Sequence, residues 1–377
     1  MNSFVPLSVP SFMGRELEYV TEAITTGWVS TAGNYVTMFE EQFAKYAKTD
    51  KAVACQSGTA ALHLAFIACG IGVGDLVIAP TLTFIASINP ISYVGAAPIF
   101  MDCDDFLCLD VDKIEKYLLK ECINLNGTMY DIKTNKPVKA ILAVHVFGNC
   151  VDMERLMLVA REYGLLVIED AAEAVGSFFS SGIYSGCMAG TIGDIGIYSF
   201  NGNKIMTTGG GGMIVSRDTA KIERVKHLST QAKANELYFE HDEIGYNYRM
   251  TNLQAALGVA QLEQLEGFIK IKKNNYFEYK NLGVSLLAFN ENIRPNYWFF
   301  SHITEYRDDL IHYLAENKIQ ARPIWKLNHL HDMYKNCSTY DIKNAIMYYE
   351  KIVNIPCSSN LNNDELKYVA YIIKQYT

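Results

Sequence analysis

Short apolar runs alternate with amphipathic segments along the first two thirds of the chain. The apolar runs predict strands at 52–54, 76–79, 98–101, 140–144, 165–168, 195–198 and 212–215. Between them apolar residues recur at helical spacing, which predicts helices at 16–25, 36–47, 60–69 and 84–94. Apolar strands that alternate with helices are typical of a mostly parallel sheet covered on both faces. The pattern therefore predicts the α/β class.

The pattern changes near residue 255. A helix predicted to run from 252 towards 271 leads into a region richer in Tyr, Asn and Lys. We interpret residues 1–255 as a large α/β domain, including an N-terminal segment, and residues 256–377 as a smaller α+β domain. The segment 290–295 is predicted to be a loop inside the second domain.

Composition excludes several classes of protein. The 377 residues include 33 basic and 41 acidic side chains, with no long basic run, so nucleic-acid binding is not expected. The most apolar window, 60–80, is interrupted by His63, Asp75 and three glycines, so it does not predict a membrane span. The N terminus lacks the pattern of a signal peptide. The nine cysteines are scattered and form no C-x-x-C pair. We expect a cytoplasmic protein without a membrane span, a disulfide framework or a metal site.

Two polar constellations follow predicted strands and could bind a charged ligand. Ser57, Gly58 and Thr59 precede a helix, where backbone N–H groups and the helix dipole favour a phosphate. The alternative is an ordinary helix cap. Asp170 follows the strand at 165–168 and could pair with a protonated ring nitrogen. The alternative there is also a capping residue, with Glu173 in solvent.

A third constellation contains a lysine. Lys204 lies among Ser, Thr, Asn and Gly residues after the strand at 195–198, and four glycines follow at 209–212. A lysine in such a pocket can form a Schiff base, although a lone lysine is usually a surface cation. The order of these groups is informative. Each of the three constellations follows a predicted strand, and Lys204 comes 34 positions after Asp170. Together they are the groups that a pyridoxal phosphate (PLP) enzyme needs.

The chain resembles a known family, the DegT-type nucleotide-sugar aminotransferases, which are PLP enzymes of fold type I. The matching stretches are GWVSTAG at 27–33, SGTAALH at 57–63, PTLTFIA at 80–86, HVFG at 145–148, IEDAA at 168–172, GDIG at 193–196, SFNGNK at 199–204 and GYNYR at 245–249. The resemblance implies a large domain with a mostly parallel seven-stranded sheet, and a smaller C-terminal α+β domain.

The resemblance also implies roles for individual residues. Lys204 would bond covalently to PLP, Asp170 would pair with its pyridine nitrogen, and Phe84 would stack on its ring. Asn247 would reach the phosphate of the neighbouring subunit's cofactor, which makes a homodimer obligatory. The other implied cofactor contacts are Ser57, Gly58, Thr59, Glu173, Ser199 and Asn201. The implied substrate contacts are Gly27, Trp28, Val29, Ser30, Arg249, Arg322, Trp325, Lys326 and His329, of which Arg322 and Lys326 are the candidates for the nucleotide's pyrophosphate.

Two positions depart from the commonest pattern of the family. Glu173 stands where Gln is common, and its charge would repel the phenolic oxygen of PLP unless the carboxyl group is protonated. Asn201 stands where many members have His. This combination resembles a subgroup that aminates C4 of UDP-2-acetamido-4-keto-2,6-dideoxyglucose, with L-glutamate as the expected donor, for surface glycans such as O-antigen.

Other functions remain open at this point. The enzyme could act on another dTDP- or GDP-linked ketosugar, at C3 or C4. A PLP-dependent sugar dehydratase is disfavoured, because the resembling dehydratases usually have His at the position of Lys204. A non-catalytic regulator would be expected to lack Lys204 or Asp170. Of the histidines, His63 and His145 lie in apolar runs and are predicted to be core residues.

Overall fold

The structure is a computed structural model and describes residues 4–376. The helices are α1 (Glu16–Thr25), α2 (Asn34–Ala47), α3 (Gly58–Ala68), α4 (Ile85–Tyr93), α5 (Val111–Glu121), α6 (Met153–Tyr163), α7 (Thr219–Ser229), α8 (Asn252–Asn281), α9 (Arg307–Glu316), α10 (Asn344–Lys351) and α11 (Asn363–Tyr376), with 3₁₀ turns at Val146–Gly148 and Asn328–Leu330. The strands are β1 (Ala52–Cys55), β2 (Leu76–Pro80), β3 (Ala97–Met101), β4 (Cys122–Leu125), β5 (Thr128–Asp131), β6 (Lys136–Val144), β7 (Leu166–Asp170), β8 (Phe178–Phe179), β9 (Ile195–Ser199), β10 (Gly212–Val215), β11 (Lys233–Asn235), β12 (Glu240–His241), β13 (Ile293–Arg294), β14 (Phe300–Ile303), β15 (Arg322–Pro323), β16 (Ser338–Tyr340) and β17 (Ile352–Ile355).

The central sheet has the order β1-β10-β9-β7-β6-β2-β3-β16. β10 is antiparallel to both of its neighbours, and the pairs from β9 to β16 along this path are all parallel. All the strands on this path except β10 therefore point the same way. Their carboxyl ends meet at one edge of the sheet, where ligands bind in open α/β folds.

The predicted α/β class and the predicted strands are confirmed, but the sheet is larger than predicted. Among residues 4–376 it has ten strands and not seven. The hairpin of β4 and β5 pairs with the start of β6, and β16 from the C-terminal region extends the edge at β3. The segment 290–295, predicted as a loop, contains β13, which pairs with β8. These strands are too short to give a periodic signal in the sequence.

Helix α8 connects the sheet to the C-terminal region. It is 30 residues long and packs against α1 and α2, as well as against α11 near the C terminus. Its first turn has a capping box, in which Thr251 and Gln254 satisfy each other's backbone N–H groups. The predicted division at residue 255 falls just inside this helix and stays a prediction. None of the helices within residues 4–376 combines the length and the apolar character that crossing a membrane requires.

Candidate active site

A cavity of about 350 Å³ opens at the carboxyl edge of the sheet. It lies where β6, β7 and β9 end and where α3 begins, so residues distant in the sequence meet there. Ten of the predicted cofactor and substrate residues line it: Ser57, Gly58, Thr59, Phe84, Asp170, Glu173, Ser199, Asn201, Lys204 and Trp325. The topology therefore brings the three sequence constellations into one site.

The N terminus of α3 forms one wall of this cavity. Ser57 is its N-cap, and its Oγ accepts a hydrogen bond from the N–H of Ala60 at 3.0 Å. The other first-turn N–H groups of a helix have no acceptor within the helix, which suits an anionic ligand. Gly58 must be small, because a Cβ atom there would lie 2.8 Å from the Cβ of Ser199. This close approach positions the Ser199 hydroxyl beside the helix end.

Asp170 ends β7 and is held in a fixed orientation. Its Oδ2 accepts a hydrogen bond from Ser87 Oγ at 2.7 Å, and its Oδ1 accepts one from the N–H of Ala172 at 3.0 Å. The side chain is buried, and the Ser87 hydroxyl is itself 3.1 Å from Thr83 Oγ1. A carboxylate held in this way can pair with one cationic group at a defined position.

The amine of Lys204 lies between a carboxylate and an aromatic ring. Its Nζ is 3.6 Å from Glu173 Oε1 and 4.0 Å from the centroid of the Trp298 ring. Only 12% of the lysine side chain is exposed. Trp298 is fixed in turn, because its Nε1–H donates to the carbonyl of Asn203 at 2.8 Å.

Glu173 is buried beside Lys204 and receives one backbone hydrogen bond. The N–H of Phe147 donates to its Oε2 at 3.0 Å. Phe147 has a φ of 56°, a left-handed conformation that L residues rarely adopt. Burial raises the pKa of the Glu173 carboxyl group to about 7, and Lys204 only partly offsets this effect. Near neutral pH this carboxyl group can therefore exist with or without its proton.

A second buried network supports the floor of the site. Glu169 accepts hydrogen bonds from His145 Nε2 and from the N–H groups of Gly190, Ile192 and Gly193, at 2.5 to 2.9 Å. Burial acts to raise the pKa of Glu169, but these hydrogen bonds outweigh it and hold the pKa below its usual value. His145 and His63 are both buried, as predicted, and His145 also accepts from the N–H of Val151.

The turn at 27–30 lies outside this cavity. Asn252, the first residue of α8, holds the turn, because its Nδ2 donates to the carbonyl of Trp28 and its N–H donates to that of Ser30, both at 2.6 Å. The indole of Trp28 is exposed and lines a separate cavity of about 450 Å³. Asn247 is also exposed, and its carbonyl accepts a hydrogen bond from Gln56 Nε2 at 3.0 Å. The predicted roles of Asn247 and of Gly27, Trp28, Val29 and Ser30 stay predictions.

Arg249, a predicted substrate contact, forms an ion pair within the protein. Both of its terminal nitrogens contact the carboxylate of Glu40 on α2, and Nη2 lies 2.9 Å from Glu40 Oε2. This bidentate ion pair is nearly buried and lies outside the cavity that contains Lys204. This ion pair fixes the guanidinium group, and the predicted substrate contact of Arg249 stays a prediction.

Three other predicted substrate residues are not among those that line the cavity. Arg322 forms part of the short strand β15, and Lys326 follows it along the chain. His329 is half-buried, with its Nδ1 2.6 Å from Thr81 Oγ1, and burial lowers its pKa. Their contacts with a substrate stay predictions.

Trp298 is the main site residue that the sequence analysis missed. It follows the predicted loop at 290–295 and precedes β14, so its local pattern is that of an ordinary apolar residue. The rarity of tryptophan is the one signal in the sequence, because the chain has only three. In the structure two of them, Trp298 and Trp325, line the cavity. Ser87 was also missed, because it lies inside a helix and carries no motif.

Comparison with known proteins identifies relatives along nearly the whole chain. The profile of the DegT/DnrJ/EryC1/StrS aminotransferase family matches residues 10–374. The chain belongs to this family. The GDP-perosamine synthase of Escherichia coli O157:H7 is 39% identical over 99% of this chain and 98% of its own length. That of Vibrio cholerae is 35% identical over 99% of both chains. The crystal structure of a DegT DnrJ EryC1 StrS aminotransferase from Brucella abortus is 25% identical, with a TM-score of 0.87, and covers 96% of this chain and 95% of its own.

As a member of this family, the chain is a PLP-dependent aminotransferase of fold type I that acts on a nucleotide-linked ketosugar. The cavity fits PLP on its own geometry. It combines three groups that PLP needs: a helix N terminus for its phosphate, the buried carboxylate of Asp170 for its ring nitrogen, and the primary amine of Lys204. Gly58 leaves room for the phosphate, because a Cβ atom at that position would fill part of the cradle. The expected cofactor and the expected reaction class are thereby confirmed.

Proposed function

We propose that this enzyme transfers the amino group of L-glutamate to C4 of a GDP-linked 4-keto-6-deoxy sugar used for surface glycans. The observation that carries the reaction type is the buried cavity in which Lys204 and Asp170 lie beside the N terminus of α3. The nucleotide is supported by the two relatives named GDP-perosamine synthase, which match almost the full length of the chain. We therefore prefer GDP to the UDP-linked acetamido sugar that the subgroup resemblance indicated.

In this proposal Lys204 and Asp170 carry out the catalytic work. When bound, PLP accepts the electron pair of a carbon atom that loses its proton, so the protein has to bind, orient and move protons. Lys204 would hold the cofactor through its Nζ, and its free amine would take up a proton from one carbon atom and return it to another. Asp170, held by Ser87, keeps a proton on the ring nitrogen of the cofactor.

The remaining cofactor contacts follow from their positions in the cavity. Ser57, Gly58, Thr59 and Ser199 bind the phosphate at the start of α3, with Asn201 beside them. Phe84 and Trp325, whose rings lie 6.3 Å apart, bound the cavity on the side where the cofactor ring and the sugar bind. Arg322 and Lys326 bind the pyrophosphate of the nucleotide, and His329 contacts the sugar.

We also propose that the active unit is a homodimer. Asn247 and the turn at 27–30 are exposed and do not line the cavity of their own chain, as expected of residues that complete the site of a second copy. Mixing a Lys204→Ala variant with an Asn247→Ala variant tests this arrangement. Subunit exchange should give hybrid dimers with one intact site, and activity should exceed the sum of the separate variants. No gain after confirmed exchange would argue against shared sites.

The first experiment follows the cofactor by absorbance. Addition of L-glutamate to the PLP-loaded protein should convert the bound cofactor to its pyridoxamine form, and Lys204→Ala should not respond. GDP-4-keto-6-deoxymannose, whose amination at C4 gives GDP-perosamine, should then restore the PLP spectrum. Restoration by UDP-2-acetamido-4-keto-2,6-dideoxyglucose alone would overturn the choice of nucleotide. A spectrum that does not respond to glutamate would overturn the choice of donor.

A further inference from the structure

Within the cavity, the Lys204 amine lies between two groups of the protein. A carboxylate oxygen of Glu173 lies at 3.6 Å on one side and the Trp298 ring at 4.0 Å on the other. An ammonium group is attracted both to a carboxylate and to the face of an indole ring. Both groups belong to the protein, so we expect them to contact the amine when Lys204 is not bonded to the cofactor.

Both partners of this amine are held by one residue from the C-terminal region. Asn296 donates from its Nδ2 to the backbone carbonyls of Glu173 and Val175, both at 2.9 Å, and its Oδ1 accepts from the N–H of Trp298 at 3.0 Å. Asn296 is fully buried. The distance between the carboxylate and the ring is therefore fixed by buried hydrogen bonds and not by mobile side chains.

We propose that Glu173 and Trp298 form a docking position for the amine of Lys204 when it is not bonded to the cofactor, and that Glu173 accepts the proton that this amine must lose before it can bond again. In this step the lysine ammonium and the glutamate carboxylate become a neutral amine and a neutral carboxylic acid. The proton moves from Nζ to Oε1, and the reverse transfer restores the ion pair.

The charges around Glu173 suit this exchange. Lys204 faces it from the loop after β9 and Asp170 from the end of β7, while the turn after β6 contributes only the N–H of Phe147. That N–H holds Oε2, so Oε1 is the oxygen directed at the amine. A carboxyl group with a pKa of about 7 can both accept and return a proton near neutral pH.

The test measures how fast the cofactor-free protein captures PLP, followed by absorbance across a pH series. For the wild type we expect the rate to rise tenfold per pH unit up to about pH 7 and then to level off, because Glu173 is then free to accept the proton. In Glu173→Gln the amine must lose its proton to solvent, so the break near pH 7 should disappear. Glu16→Gln removes another carboxyl group that is 5% exposed, but outside the cavity, and should keep the break.

The ring is tested by labelling Lys204 in the cofactor-free protein with formaldehyde and borohydride. Trp298→Leu should speed this labelling several-fold, whereas Trp298→Phe, which keeps an aromatic face, should not. An unchanged break in Glu173→Gln overturns the proton exchange, and equal labelling in both tryptophan variants overturns the docking position. The inference rests on the proposed role of Lys204. If the wild type forms no PLP absorbance at all, it is that role that fails.

Discussion

Replacing Glu169 with Gln should be far more damaging than the same change at Glu173, four residues away. Each oxygen of Glu169 accepts two hydrogen bonds: Oε2 from His145 and Gly190, and Oε1 from Ile192 and Gly193. An amide has only one oxygen. In either orientation of the amide, its NH₂ group faces two of these four donors.

Rearrangement of the histidine cannot relieve this conflict. For His145 Nε2 to accept from the new amide, the ring proton would have to move to Nδ1. That nitrogen already accepts a hydrogen bond from the N–H of Val151 at 3.2 Å. Two buried donors therefore lose their acceptors, which together with the lost charge lowers the free energy of unfolding by about 3–5 kcal/mol.

Glu173→Gln is the matched control. The amide oxygen can still accept from the N–H of Phe147, and the NH₂ group replaces Oε1, whose contact with Lys204 Nζ is 3.6 Å long. The free energy of unfolding should therefore fall by only about 1–2 kcal/mol. Denaturant unfolding of both variants, without PLP and at one protein concentration, measures the difference. Equal destabilisation of the two variants would refute the argument from hydrogen bonds.

The effect of pH gives an independent check on Glu169. Its pKa in the folded protein lies below the ordinary value of 4.5, so the ionised form stabilises the fold. This contribution is complete above the unfolded pKa and is lost as the pH falls through the lower folded pKa. The stability difference between wild type and Glu169→Gln should therefore be constant at neutral pH and narrow only under acidic conditions.

Three further predictions concern the cradle at Gly58, the ion pair of Arg249 and the thiols. In Gly58→Ala the new Cβ would lie 2.8 Å from the Cβ of Ser199, so PLP affinity in a titration should fall at least several-fold, and unchanged affinity would contradict the cradle. Arg249→Lys replaces the bidentate contact with Glu40 by a single one and should lower the free energy of unfolding by about 1–3 kcal/mol. Weaker sugar-nucleotide binding at an unchanged free energy of unfolding would contradict this structural role. Six cysteines are buried, and burial raises the pKa of one of them, Cys55, to about 12. A thiol reagent at pH 8 should therefore modify at most three cysteines in the folded protein and all nine after unfolding.

The sequence was sufficient for the part of the site that depends on where the parallel strands end. Asp170 and Lys204 each follow an apolar run, and parallel strands bring their carboxyl ends together, so proximity followed from the pattern. Arg249 shows the limit of this reasoning. The resemblance implied a substrate contact for this residue, but its ion pair is with Glu40, which lies 209 residues away in the sequence. Such a pairing is visible only after the chain has folded.

The contribution of the C-terminal region was hidden for the same reason. The implied cofactor contacts all come before position 255, and the region after it was expected to supply substrate contacts only. In the structure, Asn296 bonds to the backbone of Glu173, and Trp298 covers the amine of Lys204. The pocket around this lysine is therefore complete only when the segment 296–298 has packed against the sheet.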